Sequence, residues 1–280
     1  MTEPADALSD LVSLRVERSG RVAEVTLLGP GKGNAMGPDF WRELPVVFRA
    51  LDADPNVRAI VLTGSGEHFS YGLDLPAMMP RWAEYLSGGA LAGPRTGFLE
   101  EIRTLQASVS ALAEIRTPVI AAVAGWCIGG GVDVISAADI RLASADAKFS
   151  VREVKVAVVA DLGSLQRLGA IIGEGHLREL AFTGRDIDAA RAERIGLVND
   201  VYPDRDALVA AARALAAEIA ANPPLVVRGV KEVLAENTRA QVEAGLRYVS
   251  AWNSAFLPSK DLAEATQAFL ERREPRFTGE

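Results

Sequence analysis

The sequence is poor in the residues that most often do chemistry. It holds one cysteine, Cys127, and two histidines, His68 and His176, in 280 residues. One cysteine cannot close an internal disulfide and leaves no Cys-rich zinc site to build. Histidine-centred catalysis is short of material too, and no His/Asp/Glu spacing resembles a metal site, so no metal is expected. The least polar stretch, Thr117 to Val132, is 16 residues long and interrupted by glycines. A spanning helix needs roughly 20. Several motifs are also missing. There is no GxxxxGK[ST], no GxGxxG after a strand and no GxSxG, which removes the P-loop, the dinucleotide fingerprint and the hydrolase nucleophile elbow.

Positive charge is scarce as well. Thirty Lys and Arg stand against 37 Asp and Glu, a net charge of −7. That field opposes nucleic acid, although a local basic patch could still hold a phosphate. The opening MTEPADALSD has neither a basic n-region nor an apolar h-region. The closing Phe277-Thr278-Gly279-Glu280 is no peroxisomal or retention address. These readings predict a cytoplasmic protein without membrane insertion.

What is present is core-forming material: 49% of residues are hydrophobic, and a chain this long buries roughly 75% of its unfolded surface without staples. Alternation around Ser19-Gly20 predicts a hairpin from Leu14–Arg18 and Val22–Leu28. Gly29-Pro30-Gly31-Lys32-Gly33-Asn34 reads as a breaker cluster before a helix over 38–51. Short apolar runs at 59–64 and 119–123 read as buried strands. Residues 64–97, rich in Gly, Pro and Met, read as a long irregular loop of the kind that forms lids or binding surfaces. A helix over 98–116, a helix over 132–138, strands over 140–143, 148–156 and 197–201, and helices from Ser164 onward complete the pattern. Alternating strands and helices predict an α/β core over 1–203 carrying the active site, with an all-helical region over 204–280.

Three acids beside a glycine run carry the chemistry. Gly129-Gly130-Gly131 before a helix strips side chains from N–H groups that a helix start leaves unpaired, which suits a developing negative charge. Close helix–strand packing explains the same glycines equally well. Asp133 follows in a segment apolar on nearly every face, where a carboxylate costs desolvation unless paired or used. Glu153 reads either as a proton carrier or as a salt-bridge partner of Arg152 or Lys155. Asp161 reads either as a proton carrier or as an N-cap. Cys127, among Trp126, Ile128 and glycines, reads as a small buried hydrophobe. Together the acids and the glycines suggest proton transfer without metal or histidine.

The segment Ala121-Ala122-Val123-Ala124-Gly125-Trp126-Cys127-Ile128-Gly129-Gly130-Gly131-Val132-Asp133 resembles the signature of the crotonase (enoyl-CoA hydratase/isomerase) superfamily. Asn34-Ala35-Met36, Phe69–Leu75 and Leu165-Gln166-Arg167-Leu168 match its other landmarks in order. The resemblance runs from about residue 12 to the C-terminus. It implies a β-β-α spiral core with a helical trimerisation region, and a homotrimer or a hexamer of two trimers. It implies an acyl-CoA thioester substrate, with coenzyme A part of the substrate and no separate cofactor. By position, the thioester oxygen would be held by the N–H groups of Leu73 and Gly130. Lys32, Ala35, Tyr71, Gly72, Asp74, Leu75 and Gly129 would contact substrate, and Lys260, Arg272, Arg273 and Arg276 are further candidates for the CoA phosphates. Tyr71 is bulkier than the residue common at its position, and the resemblance therefore implies a reshaped acyl pocket.

The Asp133, Glu153, Asp161 set resembles the Δ3,5-Δ2,4-dienoyl-CoA isomerases, as do Phe40-Trp41-Arg42-Glu43-Leu44 and Tyr248-Val249-Ser250-Ala251-Trp252-Asn253. That likeness implies removal of a C2 proton by Glu153 and protonation of C6 by Asp161, in unsaturated fatty-acid β-oxidation. Asp133 would tune the pair, whose pKa values should be pushed apart. Apolar neighbours at 156–160 should raise that of Asp161. Two other readings stand beside it: a 2-enoyl-CoA hydratase using Asp133 and Glu153 on water, and a catalytically silent acyl-CoA-binding protein.

Overall fold

The computed structural model describes Leu8 and residues 10–29, 32–87 and 91–280. Most of the acidic opening, Pro30 and Gly31 of the breaker cluster, and residues 88–90 lie outside the described residues.

β1 (Leu14–Ser19) and β2 (Val22–Leu27) form the expected hairpin, turning at Gly20 with φ +59°. After α1 (Pro38–Ala53), β3 (Ala59–Gly64) adds parallel to β2. Two helices, α2 (Leu75–Ser87) and α3 (Ala92–Glu114), lead to β4 (Val119–Val123), again parallel. The chain then steps to a second sheet as β5 (Trp126–Ile128), enters α4 (Gly130–Ser136), and returns as β6 (Ile140–Ser144). A similar step makes β7 (Lys148–Ser150), α5 (Ser164–Ile172), α6 (Glu174–Thr183), β8 (Ile187–Asp188), α7 (Ala189–Arg194) and β9 (Asp200–Tyr202). The large sheet runs β1-β2-β3-β4-β6-β9 and the small one β5-β7-β8. This repeated step between two sheets is the spiral.

Period-two alternation in the central strands builds two cores. Ile60, Leu62, Val119, Ala121 and Val123 face the main core with Phe48, Phe69 and Phe149. Ala59, Val61, Ile120 and Ala122 face the other way, onto Leu208, Ala212, Ala216 and Ala220 of α8 (Arg205–Ala221). Alanines at every fourth position let α8 lie close to the sheet, so Ala216→Leu would overpack it at about 1–3 kcal/mol. The boundary drawn at 203/204 therefore cuts through packed structure, because α8 covers the core sheet. Only α9 (Pro224–Phe256) and α10 (Lys260–Glu271) stand beyond it.

The stretch 64–97 is not one irregular loop. Asp74 accepts the N–H of Ala77 at 3.1 Å and starts α2. Met78 and Trp82, one helical turn apart, are buried, with Trp82 edge-on to Phe98 at 5.9 Å between ring centres. Those apolar contacts overrule the Gly and Pro content that argued for a loop. The strand expected over 148–156 also stops early, at Ser150. Its partner β8 is only two residues long, and Glu153–Val156 forms a 3-10 turn ended by Ala157 at φ +57°. Among the described residues no helix is long and apolar enough to cross a membrane.

Candidate active site

The site begins at the end of β5. Gly129 donates to the Ser150 carbonyl at 3.0 Å and takes φ +52°, which a side chain rarely adopts. The next residue, Gly130, opens α4. Beside it runs the segment 69–74, held on both sides by backbone hydrogen bonds. Toward β5, Phe69 donates to Ala124 at 2.8 Å, Ser70 to Trp126 at 3.0 Å, and Ile128 back to Ser70 at 3.0 Å. On the other side Met36 donates to Gly72 at 2.8 Å and Asp74 to Met36 at 3.1 Å. The Asn34 amide fixes the approach by donating to the carbonyls of Ser65, His68 and Phe69 at 2.9, 2.8 and 3.2 Å.

Gly72, at φ +79°, lets the two backbones meet. A Cβ there would sit 2.6 Å from the Ile128 carbonyl oxygen and 3.0 Å from the Gly130 nitrogen. A Cβ on Gly130 would lie 3.7 Å from the Leu73 nitrogen. The N–H groups of Leu73 and Gly130 are thus neighbours, and neither has a hydrogen-bond acceptor among the described residues. Two adjacent unpaired donors at a helix start make a ready seat for an anionic oxygen.

The three acids gather next to this seat, in different environments. Asp133, on α4, is 1% exposed and accepts the N–H of Ser164 at 2.6 Å. Burial raises its pKa, while the Ser164 N–H and the Arg167 guanidinium pull it back. Arg167 itself donates to Ser110 Oγ at 3.0 Å, and its guanidinium lies where a Cβ on Gly163 would be. Asp133 therefore serves the start of α5 rather than only its own helix.

Glu153 opens the 3-10 turn. Its Oε1 lies 3.2 Å from where a Cβ on Gly129 would be, at the mouth of the glycine corner. The residue as a whole is half-buried, yet Oε2 is out of solvent and has no hydrogen-bond partner among the described residues. The salt-bridge reading fails: Arg152 pairs with Asp186, and among the described residues Glu153 Oε2 has no hydrogen-bond partner. Burial, then repulsion from Asp133 and Asp161, pushes the Glu153 carboxyl up to about 8.

Asp161 is half-buried and is not an N-cap, since α5 begins after Gly163. Its Oδ2 accepts from Asn253 Nδ2 at 2.7 Å. Burial raises its carboxyl to about 7 against the pull of that hydrogen bond. The raised value expected for Asp161 is there, but the wide separation is not: both acids rise, and Glu153 stands higher.

Other expected contacts divide. Gly72 and Gly129 belong to the corner, and Leu75 begins α2, its N–H on the Leu73 carbonyl at 3.0 Å. Ala35 is half-buried beside Met36, and Lys32 is exposed. Asp74 spends a carboxylate oxygen on the helix cap. Tyr71 does not crowd the corner: its ring covers Gly33 and sits 5.0 Å from that of His68. Lys260 is paired with Glu280, and Arg273 with Glu264 and Glu271. Cys127 is fully buried, its thiol pushed well up by burial and by Asp133. Among the described residues no group of His, Cys, Asp and Glu is placed to hold a metal ion.

Sequence reasoning missed Asn253 as a site residue. Its signal was available: Leu246, Val249, Ser250 and Asn253 share one buried stripe of α9, and an amide on such a stripe needs a partner.

The fold and this corner place two unspent backbone donors beside three carboxyl groups, a set suited to steadying an anionic oxygen and to moving protons. The Enoyl-CoA hydratase/isomerase family matches residues 17–280. The chain is 42% identical over 275 residues to the mitochondrial Delta(3,5)-Delta(2,4)-dienoyl-CoA isomerase of Dictyostelium discoideum, covering 96% of this chain and 92% of that one. It is 40% identical to the peroxisomal protein of that name from Arabidopsis thaliana, covering 97% and 98%. A probable enoyl-CoA hydratase of Mycobacterium tuberculosis is 35% identical over 95% of this chain and 98% of its own. The crystal structure of an enoyl-CoA hydratase/isomerase from Pseudoalteromonas atlantica superposes with a TM-score of 0.82 at 26% identity, covering 95% and 100%. The chain belongs to the enoyl-CoA hydratase/isomerase family.

Proposed function

We propose that the protein converts 3,5-dienoyl-CoA to 2,4-dienoyl-CoA, as part of unsaturated fatty-acid β-oxidation. The observation that carries the mechanism is the unpartnered Glu153 oxygen beside the Gly129–Gly130 corner. With the thioester oxygen on the Leu73 and Gly130 N–H groups, ionised Glu153 takes a proton from C2. The electron pair spreads through the diene to the thioester oxygen, where the two donors stabilise it. Protonated Asp161 returns a proton at C6, and the double bonds finish at C2 and C4. No atom is gained or lost. Coenzyme A arrives as part of the substrate, and no separate cofactor is required. Lys32, Ala35, Tyr71 and Leu75 line its approach in this reading.

The two raised pKa values suit this task as a shared-proton pair. Between about 7 and 8 the pair holds about one proton between the two carboxyls. Forward turnover leaves the proton on Glu153, and it must return to Asp161 before the next one.

The third acid, Asp161, supports the isomerase over the hydratase reading, because adding water through Asp133 and Glu153 leaves it no task. The test is spectrophotometric: supply a 3,5-dienoyl-CoA and a 2-enoyl-CoA to wild type and to Asp161→Asn. Appearance of the conjugated 2,4-diene, lost in the variant, is expected. Hydration of the 2-enoyl-CoA that is efficient and indifferent to Asp161→Asn would overturn the reading.

Assembly is part of the proposal. Leu225, Val226, Val230, Val233 and Leu234 on α9 are all more than half exposed, an apolar strip that a soluble monomer rarely shows. Copies of the chain cover it in a trimer, or in a hexamer of two trimers, which light scattering would detect. The cytoplasmic placement also belongs here, and cell fractionation tests it.

A further inference from the structure

We infer that Asn253, on α9, is a positioning residue that fixes which oxygen of Asp161 carries the proton and how strongly it is held. The inference rests on the proposed role of Asp161 as the C6 acid. Asn253 is 1% exposed and its Nδ2 donates twice, to Asp161 Oδ2 at 2.7 Å and to the Val159 carbonyl at 2.8 Å. An amide N–H can only donate, so Oδ2 must accept. A proton on Asp161 therefore resides on Oδ1, the oxygen left free for substrate. The second bond, to Val159, pins the amide to the same segment that carries the acid. Neither rotation of Asn253 nor drift of the 159–161 segment can occur without breaking one of the two.

The amide is itself braced. Gln106 of α3 donates to the Asp161 carbonyl at 2.7 Å and to the Leu246 carbonyl of α9 at 3.1 Å. Arg95 donates to the Ala255 carbonyl at 2.7 Å. Two side chains, Asn253 and Gln106, thus tie the 246–255 stretch of α9 to the site, and Arg95 ties it to α3. Groups facing Asp161 from the elements around it are Asp133 on α4 and Glu153 on the 3-10 turn, both acidic. A donated hydrogen bond is what offsets that repulsion and the burial, keeping the acid able to ionise near neutral pH. The catalytic unit accordingly includes the C-terminal helix, and residues 1–203 alone lack one of its parts.

The test measures Asp161 directly as well as turnover. Infrared titration of the full-length protein should show a protonated-carboxyl band that disappears in Asp161→Asn. Its midpoint should rise by about one pH unit in Asn253→Leu, which keeps volume but has no donor, the size expected for one hydrogen bond to a charged group. It should rise further in Asn253→Asp, an isosteric change that adds a negative charge. Asn253→Gln, which keeps the amide, should bring it part of the way back. Ser254→Ala, the next residue on the same helix, should leave it in place. The limb of kcat/KM near 7 for 3,5-dienoyl-CoA, the one Asp161 sets, should move in the same order. A midpoint unmoved in folded Asn253→Leu and Asn253→Asp overturns the inference. Should Asn253→Leu fail to fold, the isosteric Asn253→Asp decides alone. Because the infrared midpoint does not depend on turnover, absence of isomerase activity would defeat the proposed function while leaving this measurement able to judge Asn253.

Discussion

Asp133 and Glu153 are two buried carboxyls in one site, and they differ in what surrounds them. Asp133 has the Ser164 N–H and the Arg167 guanidinium, which offset part of the rise that burial brings and tie it to the start of α5. Glu153 has a buried oxygen with no partner, and its carboxyl rises to about 8. Burial alone raises any acid. What separates these two acids is whether the fold supplies donors to the ionised form. The proposed oxyanion seat shows the converse: Leu73 and Gly130 keep donors that the fold, among the described residues, leaves unspent.

The largest effect should come from the unpartnered end. Glu153→Gln keeps the shape and removes the base, and isomerase kcat should fall on the order of 10³-fold. Asp161→Asn should cost on the order of 10²-fold or more. Asp133→Asn should cost clearly less, because its amide oxygen can still accept from Ser164. Steady-state rates on one 3,5-dienoyl-CoA give all three. Equal losses for Asp133→Asn and Glu153→Gln would break the distinction between the two ends.

A smaller effect sharpens the same contrast. The working state needs one ionised and one protonated carboxyl, so kcat/KM should be bell-shaped, with limbs near 7 and 8. Below the lower limb both acids are protonated and no base remains. Above the upper limb both are ionised and no acid remains. Asp133 repels the Glu153 charge, so Asp133→Asn should lower the upper limb. A limb that stays in place would mean the two carboxyls do not sense each other.

How much of this was legible in the sequence follows from how local each cause is. The hairpin at Gly20, the buried runs of β3 and β4 and the glycine corner are signalled by adjacent residues, and the structure has them where expected. Likewise the three acids were named from sequence and do meet. The 3-10 turn at Glu153 reads as strand in the sequence because alternation continues past Ser150, while the last pairing of that strand, Phe149 with Ile187, spans 38 residues. α2 was hidden because Gly and Pro weigh heavily in a local reading, whereas Trp82 against Phe98 is a tertiary contact. Asn253 is 92 residues from Asp161, and no local pattern joins them. The partners that set each acid's chemistry are the least local feature of all.

The smallest expected effect concerns stability. Glu153 has an ordinary pKa of 4.5 and rises to about 8 in the fold. The folded state therefore holds this proton to higher pH than the unfolded chain does. Its contribution to stability is fully present below the ordinary value and is lost as pH rises through the folded value. Above about pH 8 the fold carries an uncompensated buried charge, a cost accepted for function. Glu153→Gln removes that cost, so the variant should melt about 2–4 °C above wild type at pH 9. At pH 5, where wild type is already protonated in the fold, the gap should shrink. Asp133→Asn should show a smaller gain, because donors offset part of the burial of its charge. Thermal melts of both variants at the two pH values check this, and a gap for Glu153→Gln that is constant with pH would remove the unpartnered charge as its cause.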